Sequence, residues 1–489
     1  MSKIAIIGSG AGAMGVASRA PSTHEIDIYD SAQNRKVPFY ARAPLTSMLM
    51  FGDPKYVIPC EFNTNHGRNI PFFKSNILGG ATAINGCVAA LGDKELWDDF
   101  LAARTSLSSF DDAILPAFSD LTSVYNIDKL SKSSLDKMFF ESGKAVVPSL
   151  IEGDTRFSDR QIFGSLFTKR KHWLRPSIGS LIKKHKNTKF LPGFEVQRVE
   201  SERKGCSILC SNGERMHYDQ VILSAGCWGT HNILSRSMPD LYDSPRELRD
   251  HPNLRINVEA KRDFGSLNMV ENNFFKKLLI GAKYLLDPNS IMASPGATSC
   301  FYIDLDSDGK VDAKVQLLNF SEVGRLSAAG SGKMFGEKPG FSLAITLIRD
   351  GVSCWYSKAS GDKNSRITMD IDRNVIALYQ QAIDLCIQLL DTPPISNLVK
   401  EVLFKDKLLA NSEQFITECI YSGYHLVGGH IKDGKSFLGS DFRFLPINNL
   451  YVMDATCFDR FVSPNMEFPV ISLAAAWSNK MARIFWAEN

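Results

Sequence analysis

An apolar strand, Ile4-Ala5-Ile6-Ile7, runs straight into the glycine turn Gly8-Ser9-Gly10-Ala11-Gly12-Ala13, and a second strand, Ile26-Asp27-Ile28-Tyr29, closes on Asp30. Farther on, Val221-Ile222-Leu223 ends in the small residues Ser224-Ala225-Gly226. This order of strand, turn, helix, strand and acid predicts an α/β fold with a Rossmann-type dinucleotide-binding domain on a parallel sheet. Residues 256 to 410 contain alternating segments such as Val315-Gln316-Leu317-Leu318-Asn319-Phe320 and Ser342-Leu343-Ala344-Ile345-Thr346-Leu347. They predict a second domain built on a mainly antiparallel sheet with helices across one face.

Each residue of the opening unit has a physical task. Gly8 permits the tight turn, Gly10 lets the backbone approach a pyrophosphate, and the small Gly12 and Ala13 let the helix pack closely on its strand. The helix N-terminal amides face the phosphates. Asp30, about 20 residues on, suits ribose hydroxyls and disfavours a 2′-phosphate. The fingerprint alone leaves FAD and NAD open.

The chain has 489 residues, which predicts two domains or one with a large insertion. Its 44% hydrophobic and 22% charged content is that of an ordinary globular protein. A formal net charge of +3 is close to neutral for this size and gives no reason to expect a nucleic acid or an anionic membrane as partner. The basic stretches Lys169-Arg170-Lys171-His172 and Lys183-Lys184-His185-Lys186 read as solvated helix faces. Lys3 leads directly into the first strand, so no secretory segment is expected, and no apolar run is long enough for a membrane span. Ten scattered cysteines lack metal-ligand spacing, so no metal is expected, and reduced thiols in a cytoplasmic protein are the simplest reading.

Along the chain, Asn76-Ile77-Leu78-Gly79-Gly80-Ala81-Thr82-Ala83-Ile84-Asn85-Gly86 combines paired glycines with small residues, which lets a flat ligand lie against the backbone. Residues 101 to 185 read as helical and loop-like, with Trp97, Phe100, Phe110 and Phe118 marking buried faces. Asn187 to Val199 reads as extended, and Gly205 to Met216 as a hairpin about Ser211-Asn212-Gly213. Asn374 to Leu390 is the clearest helix, with Ile376, Leu378, Ala382, Leu385, Ile387 and Leu389 apolar. In the last quarter, Tyr421-Ser422-Gly423-Tyr424-His425-Leu426-Val427-Gly428-Gly429 sets a histidine between aromatics and glycines. Asp454-Ala455-Thr456 closes a strand, and Ser463-Pro464-Asn465-Met466-Glu467-Phe468-Pro469 precedes the final helix, Val470 to Trp486.

Taken together these segments resemble the glucose-methanol-choline (GMC) family of FAD-dependent oxidoreductases. The family's first signature is similar to Gly79 to Gly86 and its second to Val221 to Thr230. Its Leu-x-Asp-His-Pro element is similar to Leu248-Arg249-Asp250-His251-Pro252, its Tyr-His-x-x-Gly element to Tyr424 to Gly428, and its closing elements to Asp454-Ala455 and Pro464-Asn465. The elements occur in family order over nearly the whole chain.

The resemblance implies an FAD-binding domain formed by residues 1–100, 186–255 and 440–489 and a substrate domain formed by 101–185 and 256–439. It implies FAD held at Gly8, Gly10, Gly12, Ala13 and Asp30, with adenine at the backbone of Val196 and the ribityl or pyrophosphate region at Asp454 and Ala455. Gly79, Gly80, Thr82, Asn85, Ala225, Gly226, Asn465 and Met466 complete the implied cofactor set. Family members with covalent flavin carry a histidine next to the asparagine; here that position is Ile84, so a non-covalent FAD is expected. The implied activity is oxidation of a CH-OH group of a small-molecule alcohol, with His425 as general base and Asn465 donating to the substrate oxygen, and oxygen or another electron acceptor completing the cycle. A hydroxynitrile lyase of the same fold, with non-redox FAD, is the alternative. Two departures from the family pattern stand out: His430 in Gly429-His430-Ile431-Lys432, a competing base, and Glu467, which reads as an amine-binding group or as a solvent-facing or salt-bridged loop residue. Tyr421, Tyr424, Phe458, Phe461 and Phe468 suit either an apolar pocket or ordinary packing.

Overall fold

The computed structural model describes residues 2–21, 23–33, 36–51, 53–122, 124–170, 174–176, 187–271, 273–322, 336–349, 351–359 and 364–484. Its organising layer is a five-stranded parallel sheet in the order Leu450–Val452, Gln220–Leu223, Lys3–Ile7, Glu25–Asp30, Thr188–Pro192. Within Lys3–Ile7, residues 4–7 are buried with neighbours on both sides, which is why they read as an unbroken apolar run. The helix Ala11–Arg19 follows the glycine turn and packs on the closing helix Glu467–Ile484. That contact depends on absent side chains: a Cβ on Gly12 would collide with the Met453 carbonyl, and one on Gly15 with Ile471 and Ala474.

The hairpin about Ser211-Asn212-Gly213 forms as expected, joining Cys206–Cys210 to Arg215–Tyr218, with Val196–Ser201 as the third strand. The second large layer is mainly antiparallel. It orders Val399–Val402, Pro252–Ala260, Gly340–Leu347, Ala313–Leu318, Ala297–Ile303, Ile162–Ser165 and Ile151–Glu152, with Tyr421–Ser422 paired to Pro252 and Asn253. The helix Arg373–Asp391 lies against it, capped by Asp372; Leu378 and Leu385 are only partly buried, while Val375, Tyr379, Ile383 and Cys386 carry more of its core face. A six-stranded sheet, Val427–Gly428, Arg246–Asp250, Val352–Ser357, Arg366–Met369, Val57–Thr64 and Phe72–Ser75, joins segments from both sides of the expected domain boundaries. The boundary at residue 255 falls inside the strand Pro252–Ala260.

Two expectations are corrected. Residues 101–170 are not merely helix and loop, because Asn126–Lys129, Ile151–Glu152, Ile162–Ser165 and Phe167–Arg170 are strands. Lys169 and Arg170 are not on a solvated helix face: both are buried at the end of Phe167–Arg170, where tertiary partners satisfy them. Lys171, His172 and Lys183 to Lys186 lie outside the described residues. All ten cysteines are free thiols. Among the described residues no helix is long and apolar enough to cross a membrane. The helix Phe274–Leu286 buries Tyr284 and leaves Phe274, Phe275, Leu278, Leu279, Leu285 and Leu286 exposed.

The contrast gives a stability prediction. Gly12→Val is expected to destabilise by at least the ~1–3 kcal/mol of ordinary overpacking, because a carbonyl must move. Leu278→Glu is expected to stay within about 0.5 kcal/mol of the parent. Urea titration of the two variants reads both values.

Candidate functional site

At the C-terminal edge of the parallel sheet the glycine turn takes a left-handed backbone at Gly8, φ +99°, where the Gly8 amide donates to the Tyr29 carbonyl at 2.7 Å. Gly10 meets the second glycine loop directly, since a Cβ on Gly80 would sit 3.3 Å from the Gly10 Cα. Ser9 ties these pieces together. Its hydroxyl donates to Asp30 and accepts the Gly79 amide at 2.8 Å. Asp30 also accepts the amides of Ser9 at 3.1 Å and Ala32 at 2.8 Å, while burial raises its pKa.

Two helix N-termini converge here, Ala11–Arg19 and Gly226–Ser237, the second next to Gly8 through Ser224 and Ala225. Bare backbone between two glycine turns and two helix starts is the cradle a pyrophosphate needs, so these residues fit the expected cofactor. Asp454 holds the second helix start rather than lying open. Its carboxylate accepts from Gly226 N at 3.0 Å, Thr230 Oγ1 at 2.6 Å, Thr456 N at 2.9 Å and Thr456 Oγ1 at 2.6 Å. Ala455 begins the short turn that follows, and Val196 is buried at the start of its strand.

Thr82 is buried in the turn Gly80–Ala83 and donates to the Gly79 carbonyl at 2.6 Å. Asn85 enters a buried polar network. It donates to Glu467 Oε2 at 2.8 Å, and its Oδ1 accepts Cys87 N at 3.0 Å and Arg175 Nη1 at 3.2 Å. Glu467 in turn pairs with the Lys169 ammonium, with the two side chains 9% and 3% exposed. Glu467 is therefore a salt-bridged residue at the start of the last helix, and its charge is already matched. Met466 packs into the core beside it.

The histidine cluster lies where the large sheet meets the closing loop. Antiparallel pairing of Pro252 with Ser422 and Asn253 with Tyr421 sets His251 beside His425. Gly423 makes the approach possible, because its amide donates to the His251 carbonyl at 2.7 Å and a side chain there would strike that carbonyl. Asp250, fully buried, accepts the His425 amide at 2.9 Å and the Ser422 hydroxyl, and burial pushes its pKa up to about 7. Tyr424 holds a left-handed φ of 62°, an uncommon position for a side-chain-bearing residue, and stacks on Phe72 with centroids 5.0 Å apart.

Hydrogen bonding assigns the tautomers. The Nε2 of His251 lies 3.0 Å from the Ile348 carbonyl, which can only accept, so Nε2 carries the proton and the Nδ1 of neutral His251 is an acceptor. The Nδ1 of His425 lies 3.0 Å from that acceptor and must donate to it. The remaining nitrogen of His425, Nε2, then has a free lone pair. Burial lowers the His425 pKa to about 4, with the positive charge of Lys314 contributing, so the ring is neutral at ordinary pH. Lys314, on Ala313–Leu318, donates to Asn465 Oδ1 at 3.1 Å. Because an ammonium cannot accept, the Asn465 amide is fixed with its NH2 turned to the other side.

His430 is separate. It bonds Thr456 Oγ1 at 2.9 Å, sits beside His231, and lines a cavity of about 500 Å³ whose walls include neither His425 nor Asn465. Of the aromatics, Phe458 stacks on Phe100 and Phe468 meets Phe118 in the core, while Phe461 stacks on His251 at 3.5 Å. Sequence reasoning gave no role to His251, Lys314, Arg175 or Lys169. His251 stood inside a quoted motif; Lys314 carried no signal, being one polar residue in an alternating strand.

No family model and no curated protein matches the sequence. Solved structures do match over 99% or more of both chains. They include pyridoxine 4-oxidase from Mesorbium loti (14% identity, TM-score 0.81), a formate oxidase (14%, 0.82) and an FAD-dependent oxidoreductase from Chaetomium thermophilum (14%, 0.78). The likeness establishes the fold, which is that of the GMC oxidoreductases the sequence resembles.

Burial lowers the pKa of His231 and His425 to about 4 and those of His251 and His430 well below the ordinary 6.5. In the unfolded chain these groups bind protons near pH 6.5, and in the folded chain only at lower pH. Their contribution to stability is complete above pH 6.5 and is lost as pH falls towards 4. In a calorimetric pH series these histidines are expected to pull the melting temperature down across that window, opposed by the buried Asp250, Asp30 and Asp454, whose raised pKa values favour the folded state as pH falls, and to add no slope above pH 7.

Proposed function

We propose that the protein is an FAD-dependent oxidoreductase that oxidises a CH-OH group of a small molecule, with non-covalently bound FAD. The carrying observation is the lone pair on His425 Nε2, fixed by the chain from His425 Nδ1 to His251 and on to the Ile348 carbonyl. Gly8, Gly10, Gly12, Ala13 and Asp30 would hold the adenosine and pyrophosphate, with Val196 at the adenine. Gly79, Gly80, Thr82, Ala225 and Gly226 would form the wall beside it, and Asn85, Ala455, Asn465 and Met466 the surroundings of the ring. Ile84 offers no nucleophilic nitrogen for a covalent link. When bound, the flavin supplies the two-electron acceptor at N5, and oxygen or another acceptor restores it.

The protein's own part is proton handling and placement. His425 Nε2 accepts the hydroxyl proton as the C-H hydride leaves the substrate, and the Asn465 NH2 donates to the substrate oxygen while alkoxide character develops. Asp250 fixes the His425 backbone, and the low pKa keeps the base unprotonated.

His425→Ala is expected to slow anaerobic bleaching of the flavin band by about 10²–10⁴-fold without releasing the cofactor. In the parent, kcat/KM is expected to fall on the acid side near pH 4 rather than near 6.5. Flavin should separate from the protein on acid precipitation. Flavin that stays yellow with every alcohol while a cyanohydrin is cleaved would replace this reading with the lyase.

A further inference from the structure

Lys314 is 2% exposed, and among the described residues its ammonium has one acceptor, Asn465 Oδ1. Among the described residues no carboxylate pairs with it. Other strongly buried cations among the described residues have a carboxylate or more than one oxygen as partner: Lys169 pairs with Glu467, Arg170 with Asp128 and with carbonyl groups, Arg175 with the side-chain and backbone oxygens of Asn85, and Arg255 with Glu322. The ammonium has three N-H donors, and a cation taken out of water needs a counter-charge or a full set of acceptors. Burial lowers the Lys314 pKa, the response of a cation that lacks its anion. The group is not remote from the chemistry. It touches the amide that faces the substrate oxygen, and its charge is felt at both His425 and His251.

We propose that Lys314 is an anion subsite and that the substrates are small hydroxy carboxylates, the carboxylate meeting the ammonium while the hydroxyl meets Asn465 and His425. This deepens the oxidoreductase reading and rests on it. Lys314 and the substrate oxygen would contact the two ends of one amide, so the anion and the reacting hydroxyl belong to one small molecule. Among the described residues a substrate amine finds no free carboxylate here, since Glu467 is paired with Lys169 and Asp250 is spent on backbone and hydroxyl donors.

The test uses FAD-loaded protein with two matched probes, mandelate and benzyl alcohol, in anaerobic bleaching, and benzoate binding by calorimetry. Mandelate is expected to bleach the flavin with a second-order rate constant about 10- to 100-fold above that of benzyl alcohol, the worth of a charged hydrogen bond. Lys314→Met is expected to lower that ratio and weaken benzoate by a similar factor, and Lys314→Arg to restore benzoate binding in part. A lysine that merely orients Asn465 would slow both alcohols equally and leave the ratio and benzoate affinity unchanged, which overturns the proposal. Equal rates with both probes in the parent overturn it too. Failure of the oxidoreductase reading looks different: neither probe bleaches the flavin, yet benzoate binding and its dependence on Lys314 remain measurable.

Discussion

The two ends of this chain meet across a surface that has no room for side chains. Gly12 rests on the Met453 carbonyl and Gly15 on Ile471 and Ala474, so the opening helix lies flush against the closing one. That contact brings the start of the closing helix, with Glu467, and the loop before it, with Asn465, to the opening glycine turn, although more than four hundred residues separate them in sequence. The paired glycines at 79 and 80 close the arrangement from a third direction, with Ser9 bonded to both Asp30 and the Gly79 amide. Without these close approaches there would be a parallel sheet but no groove along its edge.

Charge is distributed around that groove in an ordered way. Glu467 is neutralised by Lys169 and bound to Asn85, and the Asp454 carboxylate is held by four neutral donors. The histidines are neutral because burial disfavours their protonated forms. Among the described residues Lys314 is a buried cation with no carboxylate partner. A site of this kind keeps its histidines unprotonated.

The sheets supply precision by register. His251 and His425 belong to segments 174 positions apart, and the antiparallel pairing at Pro252 and Asn253 decides that their Nδ1 atoms face each other. A shift of one residue would turn one ring to the opposite face of the sheet. The strained backbone at Tyr424 and the buried Asp250 hold the following residue in the same register.

The sequence by itself determined the parallel sheet, its glycine turn, the Ser211-Asn212-Gly213 hairpin and the helix Arg373–Asp391, because each depends on local periodicity or on backbone freedom at particular glycines. Tertiary structure alone decided the rest. Lys169 and Arg170 read as solvated because consecutive basic residues usually are, yet partners far off in sequence bury them. Lys314 looked like any polar residue of an alternating strand, and only the packing of one sheet face against the closing loop set it against Asn465. Proton positions in the histidine pair follow from the Ile348 carbonyl, a backbone atom with no signature in any one-letter code.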